Sequence, residues 1–153
     1  MRREVPPFRA DHVGSLLRPA ELKEARTRYQ QGEITAAQLE AVEDRAIAAA
    51  IARQAEIRLS SATDGEYRRS MWHFDFLERL EGCEPFTPEQ GIAFKGVATK
   101  AKGVRVAGKV GFSGHPMIGH FRFLREHTKN ATPKMTMKDP TVTSSQRGQY
   151  RMG

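Results

Sequence analysis

The chain has 153 residues, enough for one domain, with 39% apolar and 28% charged residues, a balance that suits a globular fold and excludes wholesale disorder. Its formal net charge is +7, yet the last 25 residues carry five Lys and Arg against one acid, so the excess does not mark a basic face on the body of the chain. A single cysteine, Cys83, excludes an internal disulfide and a multi-thiolate metal cage, and no apolar run approaches the ~18 residues of a membrane span; a cytoplasmic location is expected.

Pro6-Pro7 predicts an extended entry arm, because proline cannot continue a helix. Residues 10–15, "ADHVGS", then read as a short strand closed by Gly14-Ser15. A first helix is expected from Pro19 to Gly32, with Leu22, Ala25 and Tyr29 on one face. A second starts at Thr35, which with Gln38 forms a capping-box pattern, while Ile34 and Leu39 form a hydrophobic staple. Its period runs to Arg58, with Leu39, Val42, Ala46, Ala49 and Ala50 on one face and Ile47 and Ile51 widening it. "IRLSSAT" is the next strand, ending at Asp64. Ser70 caps a third expected helix carrying Trp72, Phe76 and Leu80 and ending at Gly82.

From Phe94 to Phe112 the pattern changes to period two, and Val97, Val104, Val106 and Val110 predict a hairpin turning near Lys102-Gly103. A fourth helix follows "SGHP", with Pro116 near its first position and Met117, Phe121 and Leu124 on its face. "TPKMTM" reads as a further strand, and the polar sequence after Pro140 as a tail. Strands separated by helices point to βαβ units: an α/β fold with about three parallel strands and an inserted hairpin. A closed eight-stranded barrel takes ~250 residues, more than this chain has.

In parallel α/β folds, ligands meet the carboxyl ends of the strands. Two such ends stand out. In "DHVGSLLRP", Gly14 lets a backbone N–H approach a ligand and Ser15 adds a hydroxyl, a combination that can hold a carboxylate. In "TDGEYRR", Asp64 and Glu66 project from a glycine turn, suited to binding an ammonium group or to proton transfer. Arg68 and Arg69 are expected to keep those carboxylates ionised. Amides at one end and an acid at the other suit an amino-acid zwitterion. On spacing alone, both segments are more often ordinary loops. Trp72, Phe74 and Phe76 are more often core than a stacking platform. His12 and His73 are expected to make local hydrogen bonds. His115 and His120 fall on different helix faces and make poor zinc partners. Lys100, Lys102, Arg105 and Lys109 form a basic hairpin, more often a solvated edge than an anion site.

"FRADHVGSLLRPAELKEAR", "ITAAQLEAVEDRAI", "TDGEYRRSMWHFDFLERLEG" and "TPKMT" resemble, in order, the opening part of the catalytic barrel of the cobalamin-independent methionine synthase family and its single-barrel relatives. The resemblance implies a partial (β/α)8 TIM barrel over residues 1–138, followed by a divergent tail at 139–153. It implies methyl transfer from a methyl-folate donor to the thiol of homocysteine or a related thiol, on an activating zinc ion. Carried over by position, Val13, Gly14 and Ser15 match the segment that holds the amino-acid carboxylate, and Glu66 the acid that binds its amino group. His12, Asp64 and Arg69 are supporting residues. Asp64 stands where methionine synthases commonly carry histidine and the single-barrel relatives aspartate. The family's zinc ligands, a histidine, two cysteines and a glutamate, lie beyond the matched region, so no metal ligand is assigned here. The chain is expected to be silent alone and to pair with a companion C-terminal half or with a second copy. The alternatives are a basic polyanion- or RNA-binding module and a non-catalytic interaction protein.

Overall fold

The computed structural model describes residues 12–69, 74–87, 92–94, 97–99 and 103–136. They fall into two compact units. One holds the residues up to Arg68 together with Gly119–Thr136, the other Arg69–Ile118.

In the first unit, helix α1 (Ala20–Gln30) follows Pro19 and buries Leu22 and Ala25. Helix α2 (Ala36–Glu56) starts as the sequence predicts. The Gln38 N–H donates to Thr35 Oγ1 at 3.2 Å, and the Thr35 N–H donates to Gln38 Oε1 at 2.8 Å. Each satisfies an amide that the first helical turn leaves open, together stabilising the helix by ~1 kcal/mol. The buried stripe of α2 is Glu43, Ile47, Ile51 and Gln54, with Leu39, Val42, Ala46 and Ala50 packed beside it. Ile47 and Ile51 thus form the centre of the core face rather than its margin. Two polar residues on that face, Glu43 and Gln54, hide it from an apolar period.

Strands β1 (Ser61–Ala62) and β6 (Thr132–Pro133) pair in parallel. The Thr132 N–H donates to Ser60 O at 2.9 Å and the Lys134 N–H to Ala62 O at 2.8 Å. Leu22, Ile47, Ile51, Ala62, Tyr67 and Leu124 make the core. Leu124 comes from helix α4 (Pro116–His127), whose residues from Gly119 onward belong to this unit. Leu22, Ile47 and Leu124 are fully buried, and each contributes roughly 2 kcal/mol of apolar burial.

The parallel sheet therefore has two strands among the described residues, not about three. Residues 12–15, expected to end a strand, are irregular; the turn at Gly14 takes them out of any ladder, and Ala10 and Asp11 lie outside the described residues.

In the second unit, helix α3 (Phe74–Leu77) precedes an antiparallel pair, β2 (Glu81–Phe86) with β5 (Gly103–Gly111). Strands β3 (Ile92–Phe94) and β4 (Val97–Thr99) pair with each other. The third helix ends at Leu77 rather than Leu80, and Gly82 lies inside β2. Its φ is +73°, and the register shifts between Glu81 and Cys83. A Cβ there would fall 2.4 Å from Lys109 O, so only glycine suits this bulge. Among the described residues, β5 pairs with β2 and β4 with β3, rather than with each other as a hairpin turning at Lys102-Gly103 requires. Alternating valines favour an antiparallel partner without naming it. Arg105 faces Glu84 across the β2–β5 pair, 3.1 Å apart, so this hairpin charge is locally balanced. Lys100, Lys102, Ser70, Trp72, His73 and everything after Thr136 lie outside the described residues.

His115 precedes α4 and is 7% exposed. Its Nδ1 accepts the Met117 N–H at 3.1 Å, and its Nε2 donates to Phe76 O at 3.2 Å. These two bonds place the proton on Nε2 and make the ring the N-cap of the helix. Among the described residues, no helix is long and apolar enough to cross a membrane.

Candidate functional site

The site lies wholly in the first unit, where β1 runs into the turn Thr63–Tyr67. Gln54 of α2 grips Thr63 by both backbone groups. The Thr63 N–H donates to Gln54 Oε1 at 2.9 Å, and Gln54 Nε2 donates to Thr63 O at 2.8 Å. Here β1 stops and the chain reverses. The Gly65 N–H donates to Thr63 Oγ1 at 3.0 Å, and the Glu66 N–H to Asp64 Oδ1 at 2.9 Å. Gly65 and Glu66 both take left-handed backbone, with φ of +66° and +57°. A glutamate in that region is uncommon and needs support from its surroundings. Arg18 supplies part of it, its Nη2 donating to Glu66 O at 2.8 Å.

The segment from His12 to Arg18 lies against this turn. The Leu16 N–H donates to Gly65 O at 3.0 Å, and the Tyr67 hydroxyl donates to Leu17 O at 3.0 Å. Burial pushes the Tyr67 phenol up, while the charge of Arg18 pulls the other way. From the carboxyl end of β6, Lys134 Nζ donates to His12 O at 2.9 Å. Both parallel strands therefore deliver their next residues to the same end, beside residues 12–18.

Ser15 and Glu66 meet there. The Ser15 hydroxyl donates to Glu66 Oε2 at 2.7 Å. Glu66 is 7% exposed, whereas Ser15 is exposed. Val13 and Leu17, two residues to either side of Ser15, are 80% and 85% exposed. His12 Nε2 donates to Gly14 O at 2.8 Å, bracing the turn before the serine. Val13, Gly14, Ser15, Asp64, Glu66 and His12 are thus grouped at one locus. Arg69, the remaining predicted residue, is partly buried and belongs to the second unit, outside this locus.

Arg68 does not face Asp64 or Glu66 as the sequence predicts. It pairs with Asp44 and with Glu43, the latter at 3.7 Å, and its guanidinium lies 5.2 Å from the Phe123 ring centroid. Arg26 pairs with the same Glu43 at 3.0 Å and also donates to Tyr67 O. Desolvation raises the Glu43 pKa, with Arg26 and Arg68 opposing it. This network ties α1, α2 and the turn together behind the site. Sequence reasoning missed Arg18, Arg26, Glu43, Gln54, Tyr67 and Lys134. The one available signal was Glu43 and Gln54 on an otherwise apolar stripe.

Zinc, implied by the sequence resemblance, finds no ligand set among the described residues. Among the described residues, no group of three His, Cys, Asp or Glu side chains is placed to hold a metal ion. Cys83 lies in β2, and both ring nitrogens of His115 are engaged.

No protein-family model matches the chain. It is 51% identical over 142 residues to the uncharacterized protein YxjG of Bacillus subtilis, covering 93% of this chain and 38% of that protein. To YxjH of the same organism it is 52% identical over 136 residues, 89% of this chain and 36% of that one. The chain thus spans just over a third of the length of these curated relatives. A stretch of 79 residues, 52% of the chain, is 34% identical to 10% of a 5-methyltetrahydropteroyltriglutamate–homocysteine methyltransferase of a Synechococcus strain. The crystal structure of a candidate vitamin-B12-independent methionine synthase from Listeria monocytogenes matches with a TM-score of 0.73 and 40% identity, over 93% of this chain and 39% of that one.

Proposed function

We propose that this chain, a relative of the vitamin-B12-independent methionine synthases in sequence and fold, supplies the amino-acid-binding part of a methyltransferase that acts on a thiol. The observation that carries the reading is the 2.7 Å contact between Ser15 and Glu66. It joins a hydroxyl beside the Gly14 turn to a buried acid held by its own backbone. In this reading Glu66 receives the ammonium of homocysteine or a related thiol amino acid. Val13, Gly14 and Ser15 receive its carboxylate, and His12 and Asp64 support them. Fixing both ends of the acceptor aims its thiol at a methyl-folate donor, which lowers the barrier by orientation.

The β1–β6 pair and its helices are read as a segment of a (β/α)8 barrel spanning residues 1–138, with 139–153 as a tail and a companion half or second copy completing the strands. A zinc ion would activate the thiol; no step is assigned to it on the described residues, and the 153-residue chain alone is expected to transfer no methyl group. The cytoplasmic location expected from the single thiol fits this chemistry.

An NMR titration tests the reading. Adding L-homocysteine to the 15N-labelled chain should shift the amides of Ser15, Leu16, Gly65 and Glu66 to saturation. Those of Arg58, Asn130 and Thr132, where the two strands begin, should stay in place. Saturating shifts at the strand starts alone, or none at all, would reject it.

A further inference from the structure

We propose that Lys134 is a positioning residue of this site, aiming a backbone amide of the 12–17 segment at an anionic group of the ligand and placing a positive charge behind it. The inference rests on the reading of Val13, Gly14 and Ser15 as the carboxylate end of an amino-acid site.

Lys134 is the first residue past β6, and its N–H is committed to Ala62 O at 2.8 Å. The parallel ladder therefore fixes where its side chain starts. That side chain reaches a segment 122 residues away in sequence, where Nζ donates to His12 O at 2.9 Å. In a trans peptide the carbonyl and the following N–H point in opposite directions. Fastening the His12 carbonyl to Lys134 thus turns the Val13 N–H away from the lysine. The device repeats two residues on: His12 Nε2 donates to Gly14 O at 2.8 Å, which sets the direction of the Ser15 N–H. Tyr67 holds Leu17 O in the same way, while Leu16 spends its own N–H on Gly65 O. Three carbonyls of the segment are therefore tied to protein donors. Carbonyl lone pairs repel an anion and amide hydrogens attract it, so this arrangement favours a carboxylate.

A neutral donor could hold the His12 carbonyl equally well in direction, but an ammonium does more. Its hydrogen bond is charge-assisted, and it polarises the His12–Val13 peptide so that the Val13 N–H becomes a stronger donor. Lys134 is half-buried, so water screens its charge only in part. These effects favour the carboxylate of a ligand and do nothing for its ammonium, which Glu66 receives. Lys134 acts through the His12 peptide, so its removal should change which ligands bind as well as how tightly.

Calorimetric titrations of the full chain, Lys134→Met and Lys134→Arg test this, with L-homocysteine and its decarboxylated analogue, 3-aminopropanethiol, as probes. Methionine keeps an apolar stem of similar length, and the main-chain bond to Ala62 O does not depend on the side chain. The expected result for Lys134→Met is homocysteine affinity about tenfold weaker and aminopropanethiol affinity within about threefold of the parent. Lys134→Arg keeps both the donor and the charge and should return homocysteine to within about threefold. An equal loss for both probes, no recovery with arginine, or no loss at all would overturn the positioning role alone. No homocysteine binding by the unsubstituted chain would overturn the amino-acid reading and this inference with it.

Discussion

Gln54 binds Thr63 as a neighbouring strand would, accepting its N–H at 2.9 Å and donating to its carbonyl at 2.8 Å. Both residues are buried, at 4% exposed each. A helix side chain thus ends the β1 ladder and sets where the Asp64–Glu66 turn begins. Replacing Gln54 with Leu leaves a buried amide and carbonyl with no such partner. The expected cost is about 2–4 kcal/mol of stability, read as a lower urea midpoint. A change within about 0.5 kcal/mol would show that the clamp contributes little.

Glu43 gives the fold a pH dependence of its own. Desolvation raises its pKa above the ordinary glutamate value, against the pull of Arg26 and Arg68, while Asp44 adds to the rise. A carboxyl whose folded pKa is raised favours folding most while protonated. Its contribution is full below the unfolded pKa and is lost as pH rises through the folded one. Glu43→Gln removes that loss. The variant should therefore gain stability relative to the parent as pH rises from acid toward neutral, measured by urea unfolding at several pH values. A relative gain on acidification would mean that the two arginines outweigh burial.

The local signals in the sequence carried far. The Thr35–Gln38 capping box, Pro19 before α1 and Pro116 at the head of α4 all act within one helical turn, so neighbouring residues suffice to specify them. Partners distant in sequence were not legible. Arg68 was expected beside Asp64 and Glu66, four and two residues away, but it binds Asp44 and Glu43 across a packed helix. The valines of β5 announced a strand, but its mate β2 contains Gly82 and Pro85, residues that disguise a strand as a helix end. At the site, Ser15 and Glu66 were singled out because both follow expected strand ends. The arginine, tyrosine and lysine that brace them left no periodic trace.

Gly82 should be the least replaceable glycine among the described residues of the second unit. Gly82→Ala would set a methyl group 2.4 Å from the Lys109 carbonyl oxygen, at a φ of +73°. Backbone must move to make room, at a cost of more than ~1 kcal/mol. Hydrogen exchange should report the loss as faster amide exchange along 103–111. Unchanged protection there would contradict the bulge.

His115 should be worth more than a surface histidine. His115→Ala removes the cap on the Met117 amide and the bond to Phe76 O, at about 1–2 kcal/mol. His115→Asn keeps a side-chain acceptor for the helix amide and should recover part of that loss. Equal melting temperatures for the parent and His115→Ala would rule out the capping role.

The account as a whole depends on the buried acid of the turn meeting a ligand's ammonium group. Calorimetric titration of L-homocysteine into the chain and into Glu66→Gln tests this most directly. Glutamine keeps the size of the side chain and removes its charge, so the account predicts saturable binding by the parent and at least about tenfold weaker binding by the variant. Equal affinity of the two proteins would contradict it.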